Sequence, residues 1–205
     1  MNILSWNVNG IKGRRGKTAK GKQIRSQIRH ISKVNGLLDI VELQEHHLNQ
    51  EEINVYGGSF IGNTWEYFWG LGHGDNHSHG GVCMYINKKW SNLILQKEII
   101  IEGRPQFMVI QFDCEKVSIC NLYASNFAAE RAQFWRHLRR VLTATNISHW
   151  CLAGDFNMLE DPADRTGGRG RTIYGQELLE WEKLLFSLGI TDVWALLNLQ
   201  QALIP

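Results

Sequence analysis

Two carboxylates and a set of carboxamides stand where apolar runs of this chain end. Trp6-Asn7-Val8-Asn9-Gly10, Leu43-Gln44-Glu45 and Gly154-Asp155-Phe156-Asn157 each begin in a short apolar stretch and finish on polar groups. Strand ends on one side of a sheet converge in space, and open sheets build their sites there. Asn7, Glu45 and Asp155 are therefore expected to meet although they lie far apart in the chain. Paired carboxylates with carboxamides are hard oxygen ligands, which suit Mg²⁺ or Mn²⁺ and not Zn²⁺. Mg²⁺ commonly takes one or two protein carboxylates and leaves room for water and phosphate. Each residue alone also has a plainer reading. Asn7 could cap a turn, Glu45 could sit in a surface ion pair, and Asp155 with Asn157 could form an Asx turn.

The elements that must position these groups alternate short apolar strands with amphipathic helices. A first strand is expected over Asn2 to Val8, followed by a Gly- and Lys-rich loop to Gly21 and a helix over Lys22 to Asn35. Leu38 to Leu43 reads as a buried strand. Trp65 to Trp69, Gly81 to Ile86, Leu93 to Ile101, Gln106 to Phe112 and Val117 to Tyr123 read as strands without intervening helices, which suggests an antiparallel meander. Phe134, Trp135, Leu138, Val141 and Leu142 fall at helical spacing, with Arg136, Arg139 and Arg140 expected on the solvated face. Trp150 to Ala153 is a further strand, and a last helix runs from Tyr174 to Leu188. Mixed strands with helices at the start, middle and end imply two packed sheets covered by helices. No Gly/Ser/Pro linker divides residues 1–205, which read as a single domain.

Charge is unevenly spread. Residues 1–38 hold nine Lys or Arg and no acid, while the rest is net acidic, which suggests one face that meets a polyanion. Lys12, Arg14, Arg15, Lys17, Lys20 and Lys22 follow the first strand directly, on the side of Asn7, and interleaved glycines suit a loop tracking a phosphate backbone. An ordinary solvated loop has the same composition. The His- and Gly-rich segment from Gly72 to Gly80 matches no established metal spacing and reads as a plain connection. Cys83, Cys114, Cys120 and Cys151 form no CxxC pair and are expected as buried free thiols. The N-terminus has no basic n-region or long apolar h-region, and no apolar run approaches membrane-spanning length. An intracellular protein, nuclear or cytoplasmic and not secreted, is the expectation.

The ordered set W-N-V-N-G, L-Q-E, G-G-V, N-L-Y-A-S-N and G-D-F-N resembles the endonuclease/exonuclease/phosphatase superfamily. Within it the chain is most similar to exonuclease III and the apurinic endonucleases, and especially to the endonuclease domains of LINE-type retrotransposons. The resemblance spans essentially the whole chain and implies a DNase I-like fold, an α/β sandwich of four layers with two mixed sheets. It implies Glu45 as ligand of a catalytic Mg²⁺ (or Mn²⁺), with Asn7 beside it and Asn9 nearby. It further implies Asp155 orienting or deprotonating the attacking water, Asn157 holding phosphate and ordering the metal site, and Tyr123 donating a hydrogen bond to the phosphate or leaving group. Asn126 closes a motif in which Ser125 replaces a proline, so the loop lacks that ring's rigidity. Asp164-Arg165 matches an Asp-Arg stretch of the retroelement enzymes, which makes Arg165 a candidate DNA contact with Asn9, Lys12, Arg14, Arg15 and Asn126.

These residue types fit phosphodiester hydrolysis, which needs an activated water and neutralisation of charge on phosphate oxygens. The resemblance implies a monomeric, metal-dependent DNA-nicking endonuclease, joined in its full-length product to a reverse transcriptase. An apurinic-site repair endonuclease is the alternative in the same class, and a non-catalytic remnant the alternative in another. Family members end on a Ser-Asp-His motif, and this sequence contains no Asp-His dipeptide. The last strands of the second sheet are therefore expected to be missing, and residues 1–205 to be weakly active or inactive.

Overall fold

The computed structural model describes residues 1–12, 19–34, 36–57, 60–73, 79–158 and 175–193. Twelve helices and strands follow in the order β1 (Ile3–Asn7), α1 (Ala19–Val34), β2 (Ile40–Gln44), α2 (Gln50–Tyr56), β3 (Trp65–His73), β4 (His79–Asn87), β5 (Ile94–Ile99), β6 (Gln106–Phe112), β7 (Glu115–Tyr123), α3 (Ala128–Ala144), β8 (His149–Asp155) and α4 (Gln176–Leu188). A 3-10 turn over Lys88–Leu93 joins β4 to β5.

The strands form two four-stranded sheets, ordered β1-β2-β4-β3 and β5-β6-β7-β8. Each sheet is antiparallel except for one parallel pair, β1 with β2 and β7 with β8. The five strands expected as one meander are thus divided. β3 and β4 pair in the first sheet, and the chain then crosses to build β5, β6 and β7 in the second. An alternating apolar pattern dictates a strand and its buried face, but not which sheet receives it.

Packing gives four layers. Ile24 and Ile28 of α1 bury against Val41, Leu43 and Tyr85 on the outer face of the first sheet. Ile40, Met84 and Ile86 meet Met108, Ile110 and Ile119 between the sheets. On the outer face of the second sheet, Trp135, Leu138 and Leu142 of α3 and Trp181 and Leu184 of α4 pack on Phe107, Cys120 and Leu122. β2 is buried along its whole length because both its faces are covered, so even Glu42 and Gln44 are buried with Ile40, Val41 and Leu43.

Three local expectations differ from what is found. α2 went unread, although Asn49 accepts from Glu52 N–H while the Glu52 carboxylate accepts from Asn49 N–H, a complete capping box. Cys114 is exposed on the β6–β7 turn, whereas Cys83 and Cys120 are buried; all four cysteines are free thiols. Arg136 and Arg140 are exposed as expected, but the guanidinium groups of Arg136 and of the partly buried Arg139 also reach the Glu180 carboxylate of α4. Gly74 to Ser78, within the His-rich connection, lie outside the described residues.

Candidate active site

Both parallel pairs end at the same place. β1 and β2 are in register from Ile3↔Ile40 to Asn7↔Gln44, so Asn7 and Glu45 leave the first sheet side by side. β7 and β8 are in register to Tyr123↔Asp155, which brings those two side chains out together from the second sheet. The Asn7 amide joins the two sheets: its Nδ2 donates to Glu45 Oε1 at 2.9 Å and to Asp155 Oδ2 at 2.6 Å. Its Oδ1 accepts from Asn9 N–H at 2.9 Å, which fixes the orientation of the amide.

Directly beneath, a buried polar tie sets the spacing of the sheets. Gln44 Nε2 donates to Asn121 Oδ1 at 2.7 Å and to Ser5 Oγ at 2.9 Å. Asn121 Nδ2 in turn donates to the carbonyls of Leu43 and Cys83. Every partner is satisfied across the interface, so the tie specifies one separation where apolar contacts alone would tolerate sliding.

Glu45 is ionised by design of its surroundings. His47 Nε2 lies 3.2 Å from Glu45 Oε2 and, with Asn7 and Tyr123, outweighs partial burial to hold the carboxyl at about 2. Its backbone is left-handed, with φ 55°, as is that of His47 at 56°. Such a conformation costs a non-glycine residue roughly 1–2 kcal/mol and persists only where surrounding contacts enforce it. His46, between them, is fully buried and held neutral, its pKa lowered to about 4 by that burial.

On the second sheet, Gly154 is required because a Cβ there would fall 2.1 Å from the Leu122 carbonyl oxygen, and its φ is 141°. Asp155 Oδ1 accepts from Asn157 N–H at 3.0 Å, and Asn157 Nδ2 donates to the Ala124 carbonyl at 2.8 Å. This is an Asx turn, so the plain reading and the site reading of Asp155 and Asn157 describe one geometry. Tyr123 is 5% exposed. Burial, then the charge of Glu45, pushes its hydroxyl well above the ordinary tyrosine value, while the Arg104 guanidinium opposes the shift. The hydroxyl therefore stays protonated as a donor, and it stands beside Glu45.

The structure thus brings Asn7, Glu45, Tyr123, Asp155 and Asn157 together, with Asn9 at the rim. Asn126 is exposed beside the site. Its loop is held without the proline: Ser125 is 5% exposed, its hydroxyl accepts from Phe127 N–H and donates to Glu130, and its carbonyl accepts from Arg131 at 2.8 Å. Lys12 is paired with Glu52 of α2. Arg14, Arg15 and Arg165 lie outside the described residues. Sequence reasoning missed His46, His47 and Arg104. The first two follow Glu45 directly, and Arg104 sits in a tight Glu-Gly-Arg-Pro turn between β5 and β6, its guanidinium 5.4 Å from the centre of the Tyr123 ring.

Among the described residues no group of three or more His, Cys, Asp or Glu could hold a metal ion. The oxygen donors that converge are the two carboxylates, Glu45 and Asp155, on either side of the Asn7 amide. Such an all-oxygen set fits Mg²⁺ or Mn²⁺, which need few protein carboxylates, and does not fit Zn²⁺.

Two mixed sheets packed face to face, flanked by helices, with polar groups at the ends of their parallel strands, define a DNase I-like α/β fold. The sequence profile of the Endonuclease/Exonuclease/phosphatase family matches residues 4–195, and the chain belongs to that family. Its enzymes are generally dependent on divalent metals. The AP endonuclease LMAP of Leishmania major superposes with a TM-score of 0.69 at 16% identity, over 91% of this chain and 66% of that one. The 3′-5′ exonuclease NExo of Neisseria meningitidis gives 0.59 at 18% identity, over 91% and 71%. TDP2 of Caenorhabditis elegans gives 0.54 at 16%, over 77% and 47%. The chain therefore spans just under two-thirds of the first of these structures and under half of the last. No curated protein matches the sequence.

Proposed function

We propose that this protein is a Mg²⁺-dependent phosphodiesterase acting on DNA, a nicking endonuclease of retrotransposon type that leaves a 3′-hydroxyl. The observation that carries the reading is the convergence of Glu45 and Asp155, from different sheets, on the single Asn7 amide. Glu45 and Asn7, with Asp155 across from them, would hold the divalent cation, which supplies neutralisation of charge developing on the phosphate oxygens. Asp155 is the group placed to orient a water and accept its proton, because the Asx turn leaves its second oxygen facing the site. Tyr123 offers a protonated hydroxyl to a phosphoryl oxygen, and the carboxamides of Asn7 and Asn157 contact phosphate without repelling it. Asn9, Lys12, Arg14, Arg15, Asn126 and Arg165 serve as contacts to the DNA strand.

The protein acts as a monomer inside the cell, and in a longer product it is joined to a reverse transcriptase. No helix among the described residues is long and apolar enough to cross a membrane. Supercoiled plasmid nicking with and without Mg²⁺, beside an Asp155→Asn control and with folding checked by circular dichroism, tests the reading. Metal-dependent nicking lost in Asp155→Asn supports it, and a folded chain that never nicks supports the non-catalytic remnant instead. Because the sequence contains no Asp-His dipeptide, turnover by residues 1–205 is expected to be low. The likeness to the Leishmania AP endonuclease favours a second reading as an apurinic-site endonuclease. A duplex with one abasic site, cut in preference to intact duplex, would select it.

A further inference from the structure

The left-handed turn at Glu45 is enforced by a residue that does not itself face the site. The His46 ring is fully buried, with Nε2 2.8 Å from the Gly70 carbonyl oxygen and Nδ1 3.1 Å from Leu48 N. A carbonyl only accepts and an N–H only donates, so Nε2 carries the proton and Nδ1 is the acceptor. The ring also stands edge-on to Trp69, with centroids 4.8 Å apart. No other side chain of this size offers one donor and one acceptor on opposite edges of a flat ring.

The contacts of His46 continue to the second sheet. Its backbone N–H donates to the Gly81 carbonyl at 3.1 Å, and His47 N–H donates to Gly80 at 3.2 Å. Gly81 lies flat against the ring, where a Cβ would come within 2.5 Å of the imidazole carbon between the two nitrogens. Gly81 N–H donates to the Gly103 carbonyl at 2.9 Å, and the carbonyl of the next residue, Arg104, accepts from Tyr123 N–H at 3.2 Å. One run of contacts thus passes from Glu45 through His46, Gly81, Gly103 and Arg104 to Tyr123, whose hydroxyl stands beside Glu45.

We propose that His46 is a positioning residue, whose two ring hydrogen bonds and packing against Gly81 hold the Glu45 carboxylate toward Asn7 and Tyr123. The inference rests on the reading of Glu45 as ligand of a divalent cation. Without the ring, the Gly70 carbonyl and Leu48 N–H are left buried and unpaired, and the turn at Glu45 relaxes out of the left-handed region.

The test is Mn²⁺ affinity measured by isothermal titration calorimetry on folded protein, which reports on Glu45 whether or not the chain cleaves DNA. His46→Leu and Gly81→Ala are expected to weaken Mn²⁺ binding about tenfold, the size usual for a residue that orients a metal ligand. His46→Gln keeps an N–H donor and recovers part of the loss. Leu138→Ala removes a buried side chain from the far helical layer; it lowers the melting temperature and leaves the affinity unchanged, which separates positioning from stability. Should His46→Leu not fold, Gly81→Ala and His46→Gln decide. Equal affinity in the wild type and these variants, whether all bind or none does, overturns the proposal. His46-dependent Mn²⁺ binding without any plasmid nicking counts against the phosphodiesterase reading and leaves the positioning role standing.

Discussion

At the ends of β1 and β2 the chain is held by distant neighbours, whereas at the ends of β7 and β8 it is held by its own next residues. Past β1 the parallel pairing simply continues: Val8, Gly10 and Ile11 N–H donate to the carbonyls of Gln44, Glu45 and His46. Asn9, Glu45 and His47 all take positive φ there, and the Gly80 and Gly81 carbonyls of β4, with the buried His46 ring, hold the Glu45–His47 turn. Past β8 Ala124 alone closes the pairing, its N–H donating to the Asp155 carbonyl and its carbonyl accepting from Asn157 Nδ2, and the Asp155–Asn157 turn does the rest. Two carboxylates therefore reach one amide by different means. Glu45 depends on tertiary contacts, and Asp155 on local sequence, so the two ends should respond differently to substitution.

The largest expected effect lies at the reacting groups themselves. Asp155→Asn should abolish measurable nicking, a loss of about 10³-fold for removal of a general base. The melting temperature should move little, because the Asx turn survives with an amide oxygen. Glu45→Gln should instead appear first as weakened Mn²⁺ binding. Asp155→Asn should weaken Mn²⁺ binding less than Glu45→Gln does, and equal losses of metal and turnover in the two variants would mean that the division of labour between the two ends is wrong.

Next in size is the contrast between two glycines. Gly154→Ala forces a Cβ onto the Leu122 backbone, which cannot yield without parting β7 from β8. A destabilisation of about 3–4 kcal/mol is expected in urea unfolding. Gly81→Ala meets a side-chain ring and should cost less stability while affecting Glu45 more.

The inner faces of the two sheets differ as well. Glu42 shares a face with Ile40 and Gln44, so it points between the sheets, fully buried, toward the face that carries Ile119 and Asn121 of β7. Among the described residues neither of its oxygens has a hydrogen bond of good geometry, although Ser5 lies beside it. Burial raises its carboxyl from 4.5 to about 8, so the fold stabilises the protonated form. That contribution is whole below pH 4.5 and is lost as pH rises through 8. Glu42→Gln should accordingly gain about 1–3 kcal/mol at pH 9 and much less at pH 5, in thermal melts across that range. A pH-independent difference would mean that the carboxyl is not buried as described.

The smallest effect is expected at Asn157. Asn157→Ala removes the bond to the Ala124 carbonyl and eases the chain out of its left-handed turn, costing about 1 kcal/mol. Turnover should fall while Mn²⁺ affinity holds, since only the locally held end is loosened.

Legibility in the sequence follows the same division. Asp155 and Asn157 were readable because a turn two residues long has a compositional signature, and the Asn49–Glu52 capping box was equally present in the letters and overlooked. Glu45 was readable as the polar end of an apolar strand, but its latch was not. His46 acts through Gly70 and Gly81, which belong to a hairpin built later in the chain. The same holds for Arg136 and Arg139, whose partner Glu180 lies on another helix, and for Cys114, placed by the β6–β7 turn outside the core.

By itself the sequence determined the elements and which polar groups stand at strand ends, because apolar period, turn residues and charge act over a few neighbouring positions. Only the tertiary structure decided that β3 and β4 part from β5, β6 and β7, and that the two parallel pairs end against one another across the Asn7 amide. That choice depends on which faces bury best together, and the energy of such burial belongs to pairs of surfaces and not to either strand alone.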